Sequence, residues 1–259
     1  MKKNILFIGY GDLGSRLASI SKDDLVITGI SRSLKPRIVP DQYHSLDWFK
    51  NSAQKVDLLK NYDCLIITLT PTSFDEAGYE KGYEEGMKLI SKLVKNISFK
   101  KSLLISSTRV YQDSEEPINE LSNINSEDFR AKSLLESEAI YSKGINSSQK
   151  TIFRLSGLYD PEMKDKIFYK QVDEFQNKLI PISSNLNRLS RDQAARIIMN
   201  FCINKTDLLL LNVSEPTVLA QERFKMLFPE KNFDDFFRID NPGKQLDISN
   251  LLKSKLLDG

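Results

Sequence analysis

Gly9, Gly11 and Gly14 stand in G-x-G-x-x-G spacing, directly after the apolar run NILFI and directly before the helical pattern DLGSRLASI. At a strand-to-helix corner this spacing suits a diphosphate. The first glycine permits the sharp turn, the second lets the backbone approach the phosphates, and the third lets the helix press on the strand. Free N–H groups in the helix's first turn then direct a partial positive charge at the anion. Gly9, Tyr10, Gly11, Asp12, Leu13 and Gly14 are accordingly the expected cradle of a dinucleotide. The next apolar run, LVITGI, ends at Ser31, Arg32 and Ser33. A site selective for NAD usually places an Asp or Glu there, on the ribose hydroxyls; a guanidinium between two hydroxyls suits a 2′-phosphate instead. The expected cofactor is NADP, with NAD the alternative if Arg32 is only a solvated loop charge.

Other chemistries find little to work with. A single histidine, His44, reads as a surface residue beside a third strand, and the two cysteines, Cys64 and Cys202, lie inside apolar runs where buried free thiols are the ordinary occupants. No zinc-ligand spacing, Cys-His arrangement or G-x-S-x-G elbow is present. The acidic pairs Glu84-Glu85 and Glu115-Glu116 read as solvated faces.

The elements that must position the cradle follow from a repeated rhythm. NILFIG, DLVITGI, DCLIITLT, SLLISST and KTIFRLSG are short β-branched and bulky runs, and helical patterns separate several of them. That alternation predicts an α/β fold, a Rossmann-type doubly wound parallel sheet with helices on both faces. In EKGYEEGMKLISKLV, residues Tyr83, Met87, Ile90 and Val94 share one helical face and should pack on the sheet. Beyond residue 160 the rhythm loosens. KIFYKQVDEFQNKLIP, RDQAARIIMNFCI and TVLAQERFKMLF read as helices and LLLLNV as a buried strand. The expected division is a dinucleotide-binding part, 1–160, and a smaller C-terminal α/β lobe, 161–259, interleaved with the sheet as one structural unit. PTSFDEAG and QDSEEPINELSNINSED are the expected mobile loops. Length is ample for a core without disulfides or metal. Lys+Arg of 37 against Asp+Glu of 35, mixed along the chain, argues against a nucleic-acid partner. No apolar run is long enough to span a bilayer, and the N-terminal apolar stretch lacks a cleavage site, so a cytoplasmic protein away from membranes is expected.

Taken together, GYGDLGSRLA, YEKGYEEGMKLISKL, SSTRVYQ, FRLSGLYDP, NRLSRDQAARII and LLNVSEP resemble, in order, segments of the extended and atypical short-chain dehydrogenase/reductase superfamily of the NAD-dependent epimerase/dehydratase type, the first of them in its YeeZ-like form. The resemblance implies an oxidoreductase, epimerase or dehydratase acting on a small polyol or nucleotide-sugar-like substrate. It places Asp47 at adenine, although a helix cap is an equal reading, and Leu69, Thr70 and Pro71 under the ribose. Ser106 falls at a cofactor-side strand end. Thr108 falls where a hydroxyl holds the substrate oxygen, with capping of loop backbone the equal alternative for Ser106, Ser107 and Thr108. Arg188 is implied to hold a substrate phosphate or carboxylate, or else to pair with Asp192. A homodimer is implied by analogy alone.

The resemblance fails at one place. The family's chemistry rests on a Tyr with a Lys four residues later, which lowers the phenol's pKa. None of the nine tyrosines here has that lysine. In SEDFRAKSLLESEA the Tyr position falls on Arg130 or Asp128 according to register. Lys132 survives as the ammonium only in the second register; in the first, Leu134 stands there. The expected substitutes are Tyr111 as proton donor, beside Thr108, with Arg130 or Lys132 as electrostatic helper. A protein that kept the cradle but lost turnover, a cofactor-binding sensor or interaction protein, is the competing expectation.

Overall fold

A computed structural model describes residues 1–50, 56–160, 166–173 and 178–257. The five apolar runs become parallel strands: β1 (Lys3–Ile8), β2 (Leu25–Ser31), β4 (Asn61–Thr68), β5 (Ser98–Ser107) and β6 (Lys150–Leu155), joined by the short edge strand β3 (Gln42–Ser45). Helices between them are α1 (Asp12–Ile20), α2 (Glu76–Tyr79), a π-helical turn (Glu80–Glu85), α3 (Gly86–Leu93) and α4 (Phe129–Gly144). Further along come β7 (Gly157–Tyr159), α5 (Lys166–Asp173), β8 (Ile180–Ser183), β9 (Asn185–Leu186), β10 (Arg188–Ser190), α6 (Arg191–Ile203), β11 (Leu210–Val213), β12 (Val218–Leu219), α7 (Ala220–Leu227), β13 (Phe237–Asn241) and α8 (Ser249–Lys253).

The main sheet runs β11-β6-β5-β4-β1-β2-β3 with every pair parallel. Strand order reverses between β1 and β4, and in such a sheet the crevice at that switch, outside the carboxyl ends of the strands, is where ligands sit. Because side chains alternate across a strand, Ile5 and Phe7 of β1 enter one core with α1, α6 and α8, while Leu6 and Ile8 enter the other with α3 and α4. Met87, Ile90 and Val94 lie in this second core, as their spacing predicts.

The seventh strand comes from residues 210–213, so the C-terminal part completes the sheet as well as covering it. Its own core is an aromatic cluster of Phe168, Phe224, Phe233, Phe236 and Phe237, packed largely edge to face.

Four local expectations differ from the structure. PTSFDEAG is not all loop, because Asp75 accepts the Gly78 N–H and starts α2. QDSEEPINELSNINSED is pinned by bridges of Tyr111 with Ile124 and Ile118 with Leu246, which bury Ile118. In KIFYKQVDEFQNKLIP, residues 166–173 are helical, but Ile180 and Pro181 belong to β8; residues 174–177 lie outside the described residues. His44 is part of β3 rather than beside it, and its Nε2 is buried. Cys64 and Cys202 are buried free thiols. Among the described residues no helix is long and apolar enough to cross a membrane, and no group of three metal-ligating side chains occurs.

Candidate functional site

The corner between β1 and α1 is built from three glycines with different reasons to be there. Gly9 has φ +83°, and a Cβ on it would stand 1.9 Å from the Thr68 carbonyl oxygen. Its N–H and that of Tyr10 both donate to Ile30 O at 2.9 Å, and the Thr68 hydroxyl donates to Gly9 O at 2.7 Å. A Cβ on Gly14 would meet the Tyr10 ring at 2.6 Å. That ring is fully buried, edge-on to Phe7, with its hydroxyl donating to Ile38 O, and burial pushes the phenol's pKa up to about 12. Tyr10 is thus a packing element of the corner.

Gly11 differs from both. The nearest atom to an added Cβ, outside its chain neighbours, is Gly9 O at 3.7 Å. Packing alone gives no reason for a glycine here. The space beside Gly11 is the cavity itself, which it shares with Asp12 and Leu13. A diphosphate seated on the α1 N-terminus would need that space, and the residues present fit the group.

A cavity of about 470 Å³ runs from this corner along the ends of β4, β5 and β6, and a smaller cleft of about 170 Å³ continues towards β2. Leu69 and Thr70 line both, while Pro71 packs against the π-helical turn at Gly82. The cleft is walled by Ser31, Arg32, Ser33, Trp48 and Phe49. Ser31 shares a 2.6 Å hydrogen bond with the Tyr43 hydroxyl, which itself donates to Ser33 O. The exposed Arg32 guanidinium stands over the Trp48 and Phe49 rings at 5.6 and 5.4 Å and reaches Thr70 Oγ1 at 3.5 Å. Those contacts hold it at the cleft with donors to spare. Asp47 accepts the Phe49 N–H and pairs with Lys50 in a turn at 48–50; the residues in which a helix would continue, 51–55, lie outside the described residues.

Positive charge at the other mouth comes from Arg191, which the sequence reading passed over for Arg188. Arg191 lines the cavity and reaches Asp12 at 3.5 Å. The Arg188 guanidinium lies over the Tyr159 ring, with its Nη1 3.0 Å from where a Gly157 Cβ would be. Asp192 pairs with Arg16, which also holds Asp12 and Asp160 and so ties α1 to α6 and to the end of β7.

The residues of both registers lie on or at the start of α4. Asp128 caps the helix by accepting the Arg130 N–H, and Lys132 is exposed on the outer surface. Leu134 faces the cavity, one turn after Arg130, whose guanidinium lies 5.0 Å over Phe129. Of the two, Leu134 and not Lys132 lines the cavity. Thr108 and Tyr111 are also turned away. The buried Thr108 hydroxyl donates to Leu155 O at 3.5 Å, and Thr108 is not part of the cavity wall. Tyr111 is fully buried, donates to Asn212 Oδ1 at 2.7 Å, and has the Arg154 guanidinium 4.9 Å over its ring. Burial raises its pKa against the opposing pull of Arg154.

Behind the wall lies a buried ion pair. Arg154 donates to both Glu138 oxygens, at 3.0 and 2.7 Å, and Ser106 donates to Glu138 Oε1 at 2.5 Å. Ser106 thus lines the cavity with its hydroxyl already committed. Two cavity residues that the sequence did not single out carry uncommitted hydroxyls. Ser156 is buried and its Oγ has no partner, and Tyr83 has no hydrogen bond from its phenol among the described residues. Burial pushes the Tyr83 pKa up to about 12, Tyr79 adds to this, and Arg109 opposes it.

No protein-family model matches the chain, and no curated protein matches it in sequence. Solved structures do match in three dimensions. A putative NAD-dependent epimerase/dehydratase from Methylobacillus flagellatus is 23% identical over 97% of this chain and 91% of its own, with a TM-score of 0.71. UDP-glucuronic acid 4-epimerase from Bacillus cereus, in complex with NAD, is 15% identical over 99% and 94%, with a TM-score of 0.72. UDP-N-acetylglucosamine 4-epimerase from Methanobrevibacter ruminantium M1, in complex with UDP-N-acetylmuramic acid, is 17% identical over 98% and 92%, also at 0.72. Over nearly its whole length the chain has the Rossmann-type fold of these proteins.

Proposed function

We propose that this chain binds a nicotinamide adenine dinucleotide at the β1-α1 corner, NADP in preference to NAD, and works as an oxidoreductase or epimerase/dehydratase-like protein on a small polyol or nucleotide-sugar-like compound. The observation that carries the proposal is Gly11, where the space beside the backbone is open and not filled by packing, at the edge of a cavity at the sheet's switch point, where a diphosphate would sit. The backbone of residues 9–14 would hold the phosphates, with Arg191 at the mouth. The cleft of Ser31, Arg32 and Ser33 would take the adenosine end, and Arg32, braced on two aromatic rings, would pair with a 2′-phosphate. A bound nicotinamide supplies hydride transfer to or from a carbon bearing oxygen.

The chain's own residues define the rest of the site. Ile105, Leu134, Leu155 and Leu158 exclude water from the cavity floor, and Ser107 and Ser156 offer hydroxyls at the ends of neighbouring strands. A site of this kind suits an uncharged oxygen function, with Arg191 placed for a phosphate or carboxylate at the rim. The neighbours' complexes with NAD and with UDP-sugar compounds point the same way. A second reading, a cofactor-binding sensor or interaction protein without turnover, is favoured by Leu134, an apolar side chain on the cavity wall at the position that one register gives to the family's lysine.

Titration of the full chain with NADPH and with NADH, followed by calorimetry, tests the proposal. Saturable binding of both, tighter for NADPH and levelled by Arg32→Ala, is the expected result. Binding of NADH alone would refute the 2′-phosphate assignment, and binding of neither would refute the site.

A further inference from the structure

The unassigned part of the cavity is the wall opposite the glycine corner, where a proton donor would have to stand. Four tyrosines are buried among the described residues, and all four have partners. Tyr10 donates to Ile38 O, Tyr111 to Asn212, Tyr141 bonds Ser102 and Thr151, and the Tyr62 hydroxyl accepts the Leu59 N–H. Half-buried Tyr83 lines the cavity, and its phenol has no partner among the described residues. It sits in the π-helical turn Glu80–Glu85, and such turns recur at functional sites because the extra residue redirects side chains. The cause is visible locally. A Cβ on Gly82 would lie 2.5 Å from both Pro71 Cα and Thr70 O, so the turn is pressed onto the loop after β4 and the next residue is directed at the cavity. The adjoining wall is Leu134, and the charged group that acts on the Tyr83 phenol is Arg109, two residues beyond the cavity's Ser107.

We propose that Tyr83 is the cavity's acid, donating its phenolic proton to a carbonyl oxygen of the ligand. The unpartnered Ser156 hydroxyl is the second donor to the same ligand, which makes the substrate class an uncharged carbonyl compound or its alcohol. This rests on the dinucleotide reading given above. The step assigned to Tyr83 is proton movement alone. The phenolic O–H bond breaks, an O–H bond forms on the ligand's former carbonyl oxygen, and water returns a proton to the phenolate. The electron pair for reduction comes with hydride from a dihydronicotinamide, the reductant by class. Burial holds the Tyr83 pKa up at about 12, so the phenol carries its proton at neutral pH.

The test uses the full chain labelled with ¹³C at the tyrosine ζ carbons, with Tyr83→Phe identifying the resonance. Saturation with NADP, which cannot turn over alone, should shift the Tyr83 signal, and Arg109→Gln should move its titration to higher pH. With NADPH and a panel of small aldehydes and ketones, Tyr83→Phe should lower turnover about 100-fold or more while its Kd for NADPH stays within about twofold of the parent. A Tyr83 signal unmoved by NADP, a Tyr83→Phe variant as fast as the parent, or a parent that binds NADPH but reduces none of the panel would each overturn the assignment. Failure of the parent to bind either dinucleotide would overturn the underlying reading as well, and calorimetry reveals that before any variant is made.

Discussion

Replacing Gly11 by alanine separates a glycine kept for folding from one kept for a ligand. In the unliganded chain the new methyl would find its nearest neighbour at 3.7 Å, ordinary contact. Two small effects on stability oppose each other. Alanine is the poorer N-cap of α1, worth up to about 1 kcal/mol, and it restricts the unfolded chain, worth about 0.4–1 kcal/mol in the other direction. The net change should be a loss no greater than about 3 kcal/mol. A diphosphate on the α1 amides would meet the same methyl head-on. Losing one charge-assisted amide contact costs about 1.5–3 kcal/mol, or roughly a tenfold to hundredfold rise in Kd for NADPH. Gly9→Ala is the contrasting variant. Its methyl would stand 1.9 Å from a carbonyl oxygen at a φ of +83°, so it should destabilise the protein by more than about 3 kcal/mol. Urea unfolding gives the stabilities, and quenching of protein fluorescence by NADPH gives the affinities. Gly11→Ala binding as tightly as the parent, or unfolding as readily as Gly9→Ala, would refute the reasoning.

Three further outcomes are expected. Arg32→Ala should weaken NADPH binding about tenfold or more while leaving NADH within about twofold, read from paired titrations; equal losses would mean that Arg32 serves the ring shelf and not a phosphate. Arg154→Ala leaves the Glu138 carboxylate buried without its bidentate partner and should cost about 3–5 kcal/mol in urea unfolding, whereas a loss under about 1 kcal/mol would contradict the buried-pair description. Tyr10 and Tyr83 have folded-state pKa values raised to about 12 against the ordinary 10.0. The fold therefore favours their neutral forms, and their contribution is fully present below the unfolded value. The urea midpoint should hold up to about pH 9.5 and fall progressively between about pH 10 and 12, and a flat midpoint across that window would contradict it.

The parts of the molecule legible in the sequence are those governed by local rules. The five apolar runs became β1, β2, β4, β5 and β6 because parallel strands buried on both faces must be continuously apolar. The glycine spacing located the corner because Gly9 and Gly14 answer local steric demands and Gly11 keeps the space beside the α1 N-terminus open. What the sequence left open depends on which way a side chain turns after packing. Lys132 and Leu134 are two residues apart on one helix, and only the docking of α4 shows that the lysine faces outward and the leucine faces the cavity. Arg188 and Arg191 lie within one short segment, yet the strand-to-helix change at Ser190 directs one over Tyr159 and the other to the cavity. Tyr111 is close to Thr108 in sequence and drew attention for that reason, but Asn212 of β11, about a hundred residues on, claims its hydroxyl. Tyr83 read only as a member of a packing stripe, since a π-helical turn leaves no mark in apolar spacing. Trp48 and Phe49 follow the edge strand with no periodic signal, and only the loop's path brings them under Arg32.

Binding of reduced dinucleotide to the intact chain bears most directly on the account. Calorimetric titration should give one saturable site for NADPH in the micromolar range, weaker by about tenfold or more for NADH. A folded protein that takes up neither at millimolar concentration would contradict it and leave the space beside Gly11 without an occupant.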